Sequence, residues 1–186
     1  MMNLFKLHTE ELITDEELEF VPLLEYLKYS KNLVELQKRE KLWAKDPELA
    51  YYYAQHTGKP FPLGESAIAK DPFFSLNYAY YILKEAFPAG EAVIAEDSYN
   101  ALLYAKRVIE KPFPLGEKAI SRNAANSLTY AIDVLHGPFK LGEDEISRDS
   151  FYSSVYKAAM EKLETLTIVF QKLPHLKEKL NEKSIS

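Results

Sequence analysis

Five glutamates recur along the chain at nearly even intervals: Glu40, Glu65, Glu91, Glu117 and Glu143. Carboxylates that face one another can divide acid and base roles or hold a cation. A glutamate in the first turn of a helix has a plainer use, because the unsatisfied N–H groups there favour negative charge. The second role is expected, since four of the five follow a glycine and open a short apolar run. Other reactive groups are few. There is no cysteine, which removes thiol nucleophiles, thiolate metal sites and disulfides. His8, His56, His136 and His175 are scattered, without the spacing of metal ligands. Gly64, Gly90, Gly116 and Gly142 lack the Gly-Lys-Ser/Thr of a phosphate loop and are expected to be turn glycines. No catalytic residue, metal or cofactor is therefore expected, and the chain does not read as an enzyme.

The same glycines reveal the organisation. They stand at 64, 90, 116 and 142, each 26 residues after the last. Each lies in one phrase: Pro60–Glu65, Ala86–Glu91, Pro112–Glu117 and Pro138–Glu143 follow Pro-Phe-x-Leu-Gly-Glu with few changes. A fixed period of this size marks a stacked repeat. An earlier copy lacks the phrase. Ala44–Pro47 matches Ala69–Pro72, and Tyr53-Ala54 matches Tyr78-Ala79, both 25 residues apart, so one residue is missing near Thr57–Lys59. Each copy reads as a short helix beginning at the glutamate and a longer one capped by Asp46, Asp71, Asp97, Asn123 or Asp149.

The long helix has a uniform face. Ala50, Ser75, Ala101, Ser127 and Ser153 hold one small position, and Tyr53, Tyr78, Tyr104, Tyr130 and Tyr156 stand three residues on. Ala54, Ala79, Ala105 and Ala131 follow, then Thr57, Ile82, Val108, Val134 and Met160. These fall on one side of a 3.6-residue period. A tyrosine row could stack single-stranded bases, but its place among alanines and aliphatics makes it a structural ladder packed between copies. The expected architecture is all-α: one domain, a short α-solenoid of helical-hairpin repeats with helical caps. Residues 1–39 would form an acidic amino-terminal cap, 40–163 the five repeats and 164–186 the carboxy-terminal cap. A capping box at Thr14–Glu17 and a helix from Lys31 to about Ala44 belong to the first cap. The segment after Pro174 is expected to fold over the far end, covering Val155, Ala158 and Ala159.

The opposite side of the long helix varies. It carries Glu48, Tyr52, Gln55 and His56, then Phe73, Asn77, Tyr80 and Tyr81, then Tyr99, Leu103, Lys106 and Arg107, then Ala125, Thr129, Ile132 and Asp133. Aromatic residues beside arginine suit a protein interface. Phe73, Asn77, Tyr80, Tyr81, Leu103, Lys106 and Arg107 are the candidate protein-binding residues. The chain of 186 residues is 47% hydrophobic and 27% charged, in keeping with one folded domain. Its net charge of −5 disfavours general nucleic-acid binding. A nucleic-acid reading would rest on Lys106, Arg107, Lys118, Arg122 and Arg148. Residues 1–25 hold seven carboxylates against Lys6 alone, so the remainder is nearly neutral. No apolar run approaches the roughly 20 residues of a membrane span, and the amino terminus lacks the pattern of a signal peptide. With no cysteine, a reducing cytoplasm is the expected setting.

Lys111–Glu117, Ala69–Pro72 and Tyr78-Ala79 resemble short helical repeats of uncharacterised tailed-bacteriophage proteins. The plan of short and longer helix is also similar to leucine-rich-variant solenoids. The resemblance covers roughly 42–163. It implies a phage-encoded protein acting inside the bacterial cell. The expected work is non-enzymatic binding of a host, defence or phage protein, as an inhibitor, with a nucleic-acid-binding module or a minor virion or assembly component as the alternatives. The resemblance brings no catalytic residues.

Overall fold

The computed structural model describes residues 39–173. The amino-terminal capping box, most of the first expected cap and the segment after Pro174 lie outside the described residues. Within them the chain is all-helical, with no strand. Helices α1 (39–43) and α2 (Pro47–Thr57) form the first copy. The second has α3 (Glu65–Ile68) and α4 (Pro72–Asn77), which continues as a π-helical turn over Tyr78–Leu83. The third has α5 (Glu91–Ile94) and α6 (Ser98–Arg107), and the fourth α7 (Pro114–Ile120) and α8 (Ala124–Tyr130) with a π-turn at Ala131–Leu135. The fifth has α9 (Glu143–Ser147) and α10 (Ser150–Lys172), one continuous helix across position 163. Each long helix packs against the next.

The caps form as the sequence implies. Asp71, Asp97 and Asp149 each accept two backbone N–H bonds, and Asp46 and Asn123 one each. These bonds satisfy donors that a helix start leaves open. Pro47 and Pro72 occupy the first turn, where a missing N–H is harmless.

The residue missing from the first copy falls between Ala54 and Gly58, which overlaps the expected place near Thr57–Lys59. In α2 the N–H of Gly58 bonds to Ala54 O, four residues back, whereas that of Lys84 reaches Ala79 O, five back. His136 likewise reaches Ala131 O, and Ile109 N bonds to Tyr104 O. Copies two to four thus hold one extra residue in a widened turn. The left-handed residues that end the long helices, Gly58, Lys84, Glu110 and His136, restore the 26-residue interval. Consequently Thr57 is exposed and does not join Ile82, Val108, Val134 and Met160, which rest against the core.

The repeated glycines are not turn glycines in the conformational sense. Gly64, Gly90 and Gly142 have φ of −91°, −95° and −95°, open to any residue. Their need is space. A Cβ on Gly64, Gly116 or Gly142 would lie 2.6 Å from Ala50, Ala101 or Ser127, and one on Gly90 would lie 2.7 Å from Ser75. Each glycine meets the small residue of the preceding copy's long helix. Ser75 and Ser127 also donate to Ile68 O and Ile120 O, at 2.8 and 3.0 Å, relieving buried carbonyls at short-helix ends.

Candidate functional site

Each ladder tyrosine ties its long helix to the opening of its own copy, and Tyr53, Tyr78, Tyr104 and Tyr130 also set their rings against the phenylalanine of the next copy. The Tyr78 hydroxyl accepts from Phe61 N–H at 2.8 Å and donates to Glu65 Oε1 at 2.9 Å. Tyr104 does the same with Phe87 and Glu91, Tyr130 with Phe113 and Glu117, and Tyr156 with Phe139 and Glu143. Tyr53 donates to Glu40. The rings pack onward: Tyr78 lies 5.2 Å from Phe87, Tyr104 5.0 Å from Phe113 and Tyr130 4.9 Å from Phe139, centroid to centroid. Tyr78, Tyr104 and Tyr130 are fully buried, while Tyr53 and Tyr156 in the end copies are half-buried.

This geometry explains the charges. Burial, opposed by the backbone N–H bond and reinforced by the glutamate, holds the Tyr78, Tyr104 and Tyr130 hydroxyls well above the ordinary phenol range. Tyr53 is pushed up to about 12, by burial first and then by Glu40. Lys140 lowers Glu143 through a hydrogen bond, against a smaller desolvation effect, with help from Tyr156. Glu65, Glu91, Glu117 and Glu143 therefore lie in the first turns of short helices, and these four and Glu40 are each bound to a phenol. Among the described residues no cluster of His, Asp and Glu could hold a metal ion. His56 is exposed, and His136 Nδ1 lies 2.8 Å from Ile132 O. His8 and His175 are outside the described residues.

The variable strip contains a groove of about 230 Å³ between α4 and α6. Phe73, Asn77, Tyr80 and Tyr81 line it from α4, and Tyr99, Asn100, Leu103 and Arg107 from α6, with Leu76 also part of the lining. Small-molecule sites run from about 300 to 1,000 Å³, so this volume suits one or two side chains of a partner better than a cofactor. Phe73, Tyr81 and Tyr99 are more than half exposed. The Tyr80 and Tyr81 rings pack edge to face at 4.7 Å. Asn77 Nδ2 donates to Phe73 O at 2.8 Å, which anchors that amide. Arg107 is the one charged lining residue.

Six of the seven candidate residues thus come together. Lys106 does not: its ammonium lies 2.5 Å from Asp133 Oδ2 in the next copy, tying α6 to the fourth copy's π-turn. Asn100 and Leu76 were not singled out by the sequence reading, though helical spacing points to both. Asn100 precedes Leu103 by three and Arg107 by seven, and Leu76 stands four before Tyr80. The cations of the nucleic-acid reading are dispersed. Arg148 pairs with Glu145, and Lys118 and Arg122 line a different groove. Among the described residues no helix is long and apolar enough to cross a membrane. No protein-family model, curated protein or solved structure matches this chain.

Proposed function

We propose that the copies form a short α-solenoid whose work is non-enzymatic: it holds a protein partner in the groove between α4 and α6. The observation that carries this reading is the contrast at that groove. The inner rings are buried, yet Phe73, Tyr81 and Tyr99 stand open around Arg107. Large rings beside guanidinium provide binding energy with few rotors to immobilise. Neighbour-to-neighbour packing of the long helices supports the solenoid. The resemblance to bacteriophage repeats supports a host or phage protein as partner, met inside the bacterial cell.

The test is affinity capture of the tagged chain from infected cells, with the double variant Tyr81→Ala/Arg107→Ala beside it. One protein retained by the parent and lost by the variant is expected, at a cost of about 2 kcal/mol or more if both residues are hot spots. Full retention by the folded variant would refute this groove. Recovery of salt-sensitive nucleic acid in place of a protein would refute the proposed partner, and recovery of head or tail proteins would favour a virion or assembly role instead.

A further inference from the structure

The fold accounts for the constant letters of Phe-x-Leu-Gly-Glu with one exception. The phenylalanines are buried, the glycines admit the neighbouring helix and the glutamates bind tyrosine. The leucine is left out: Leu63, Leu115 and Leu141 are 60%, 63% and 61% exposed. A leucine so placed contributes little to the stack. The copies have diverged along the exposed strip of the long helix, yet this open apolar residue persists in three of four phrases.

A second row accompanies it. Seven residues beyond the leucines stand Lys70, Arg122 and Arg148, all exposed. The second phrase has Ala89 for leucine and Glu96 for the basic residue, so both rows break in the same copy. Between α5 and α7, Leu115 and Arg122 of these rows border a groove of about 620 Å³, walled by Ala92, Ala95 and Glu96 on one side and by Leu115, Lys118, Ala119 and Arg122 on the other, so its cations outnumber its one carboxylate. Lys118 and Arg122 make no ion pair among the described residues.

We propose that this row docks an amphipathic helix of another protein, one with apolar residues every seven positions and carboxylates beside them. The spacing is compatible. Packed helices lie roughly 8–10 Å apart, and an α-helix advances about 10.5 Å in seven residues. A helix laid along the copies therefore offers one apolar residue to each. The alanine wall admits its backbone closely, and its carboxylates meet Lys118 and Arg122. The surface is separate from the Phe73–Arg107 groove and does not depend on it.

The test is selection from a displayed library of randomised 21-residue peptides on the immobilised full chain. Enriched peptides are then titrated against the parent, Leu115→Ser/Leu141→Ser and Arg122→Glu by fluorescence anisotropy. Heptad-spaced apolar residues flanked by Asp or Glu are expected, with at least a tenfold loss of affinity for each variant and unchanged circular dichroism. No enrichment, or equal affinity for parent and variants, would overturn the proposal. So would peptides displaced only by Tyr81→Ala/Arg107→Ala, which would belong to the other groove. A parent dimer in sedimentation that Leu115→Ser/Leu141→Ser dissociates would show that a second copy, not a foreign helix, covers the row.

Discussion

The two sides of the long helices follow opposite rules. Toward the neighbouring copies, Ser75-x-x-Tyr78-Ala79 in α4 has the same residue types as Ser127-x-x-Tyr130-Ala131 in α8, and both make the same bonds. Toward solvent, the place of Tyr80 and Tyr81 is taken by Lys106 and Arg107, then by Ile132 and Asp133. The inner positions are fixed by fit. Each glycine admits a small residue, and each tyrosine must reach a backbone N–H and a carboxylate together. The outer positions carry no such common demand and have changed freely. Repetition in this chain therefore marks what joins the copies, and variation marks what they can offer to others. The exposed leucine row is the instructive exception, repeated without being packed.

Alkali should break the inner side first. Tyr78, Tyr104 and Tyr130 have folded pKa values above that of an unfolded tyrosine, about 10. Their contribution is fully present below pH 10 and declines as pH rises toward the folded values, by about 1.4 kcal/mol per pH unit for each. Absorbance at 295 nm should show ladder tyrosinate appearing together with loss of helical circular dichroism. Smooth ionisation of every tyrosine near pH 10, with the helix intact, would contradict this. Tyr104→Ala comes next. It empties the space beside Phe113 and strands the Phe87 N–H, and urea unfolding should show a loss of about 3–5 kcal/mol. A loss below about 1 kcal/mol would mean that the ring is not packed between copies.

Gly116→Ala sharpens the comparison further. Gly116 lies within α7, where helix propensity alone predicts a gain of about 1 kcal/mol from alanine. The added Cβ would meet Ala101 Cβ at 2.6 Å and Phe113 Cδ1 at 2.7 Å, so a loss of about 1–3 kcal/mol is expected in urea instead. The smallest effect belongs to the outer side. Tyr81→Ala/Arg107→Ala should leave the melting temperature and helical content nearly unchanged, within about 0.5 kcal/mol, because neither residue is buried.

Much of the inner side was legible because packing leaves a record in residue type. Asp and Asn caps, small residues and the tyrosine row each need one kind of side chain, and their spacing gave the helices. The tyrosine–glutamate bond was also recorded, as the constant interval of 13 residues from Glu91 to Tyr104 and in every other copy, but helix-end electrostatics offered a sufficient account of the glutamate. The π-turn was visible only as an interval of 25 against 26, since a widened turn demands no particular residue. At the groove, helical spacing brought out Phe73, Tyr80, Tyr81 and Arg107. The diversion of Lys106 to Asp133 spans two copies and depends on how they stack, which spacing within one helix does not convey.

The contrast between the two sides is tested most directly by removing one oxygen atom from each. Tyr104→Phe leaves the buried Phe87 N–H without its acceptor and Glu91 without its phenol, with the ring still in place. Tyr81→Phe removes a hydroxyl from an exposed ring. Measured side by side in urea, Tyr104→Phe should lose about 1–3 kcal/mol and Tyr81→Phe close to none. Equal losses, or a larger one for Tyr81→Phe, would contradict the assignment of the inner tyrosines to holding the stacked helices in place and the outer ones to binding.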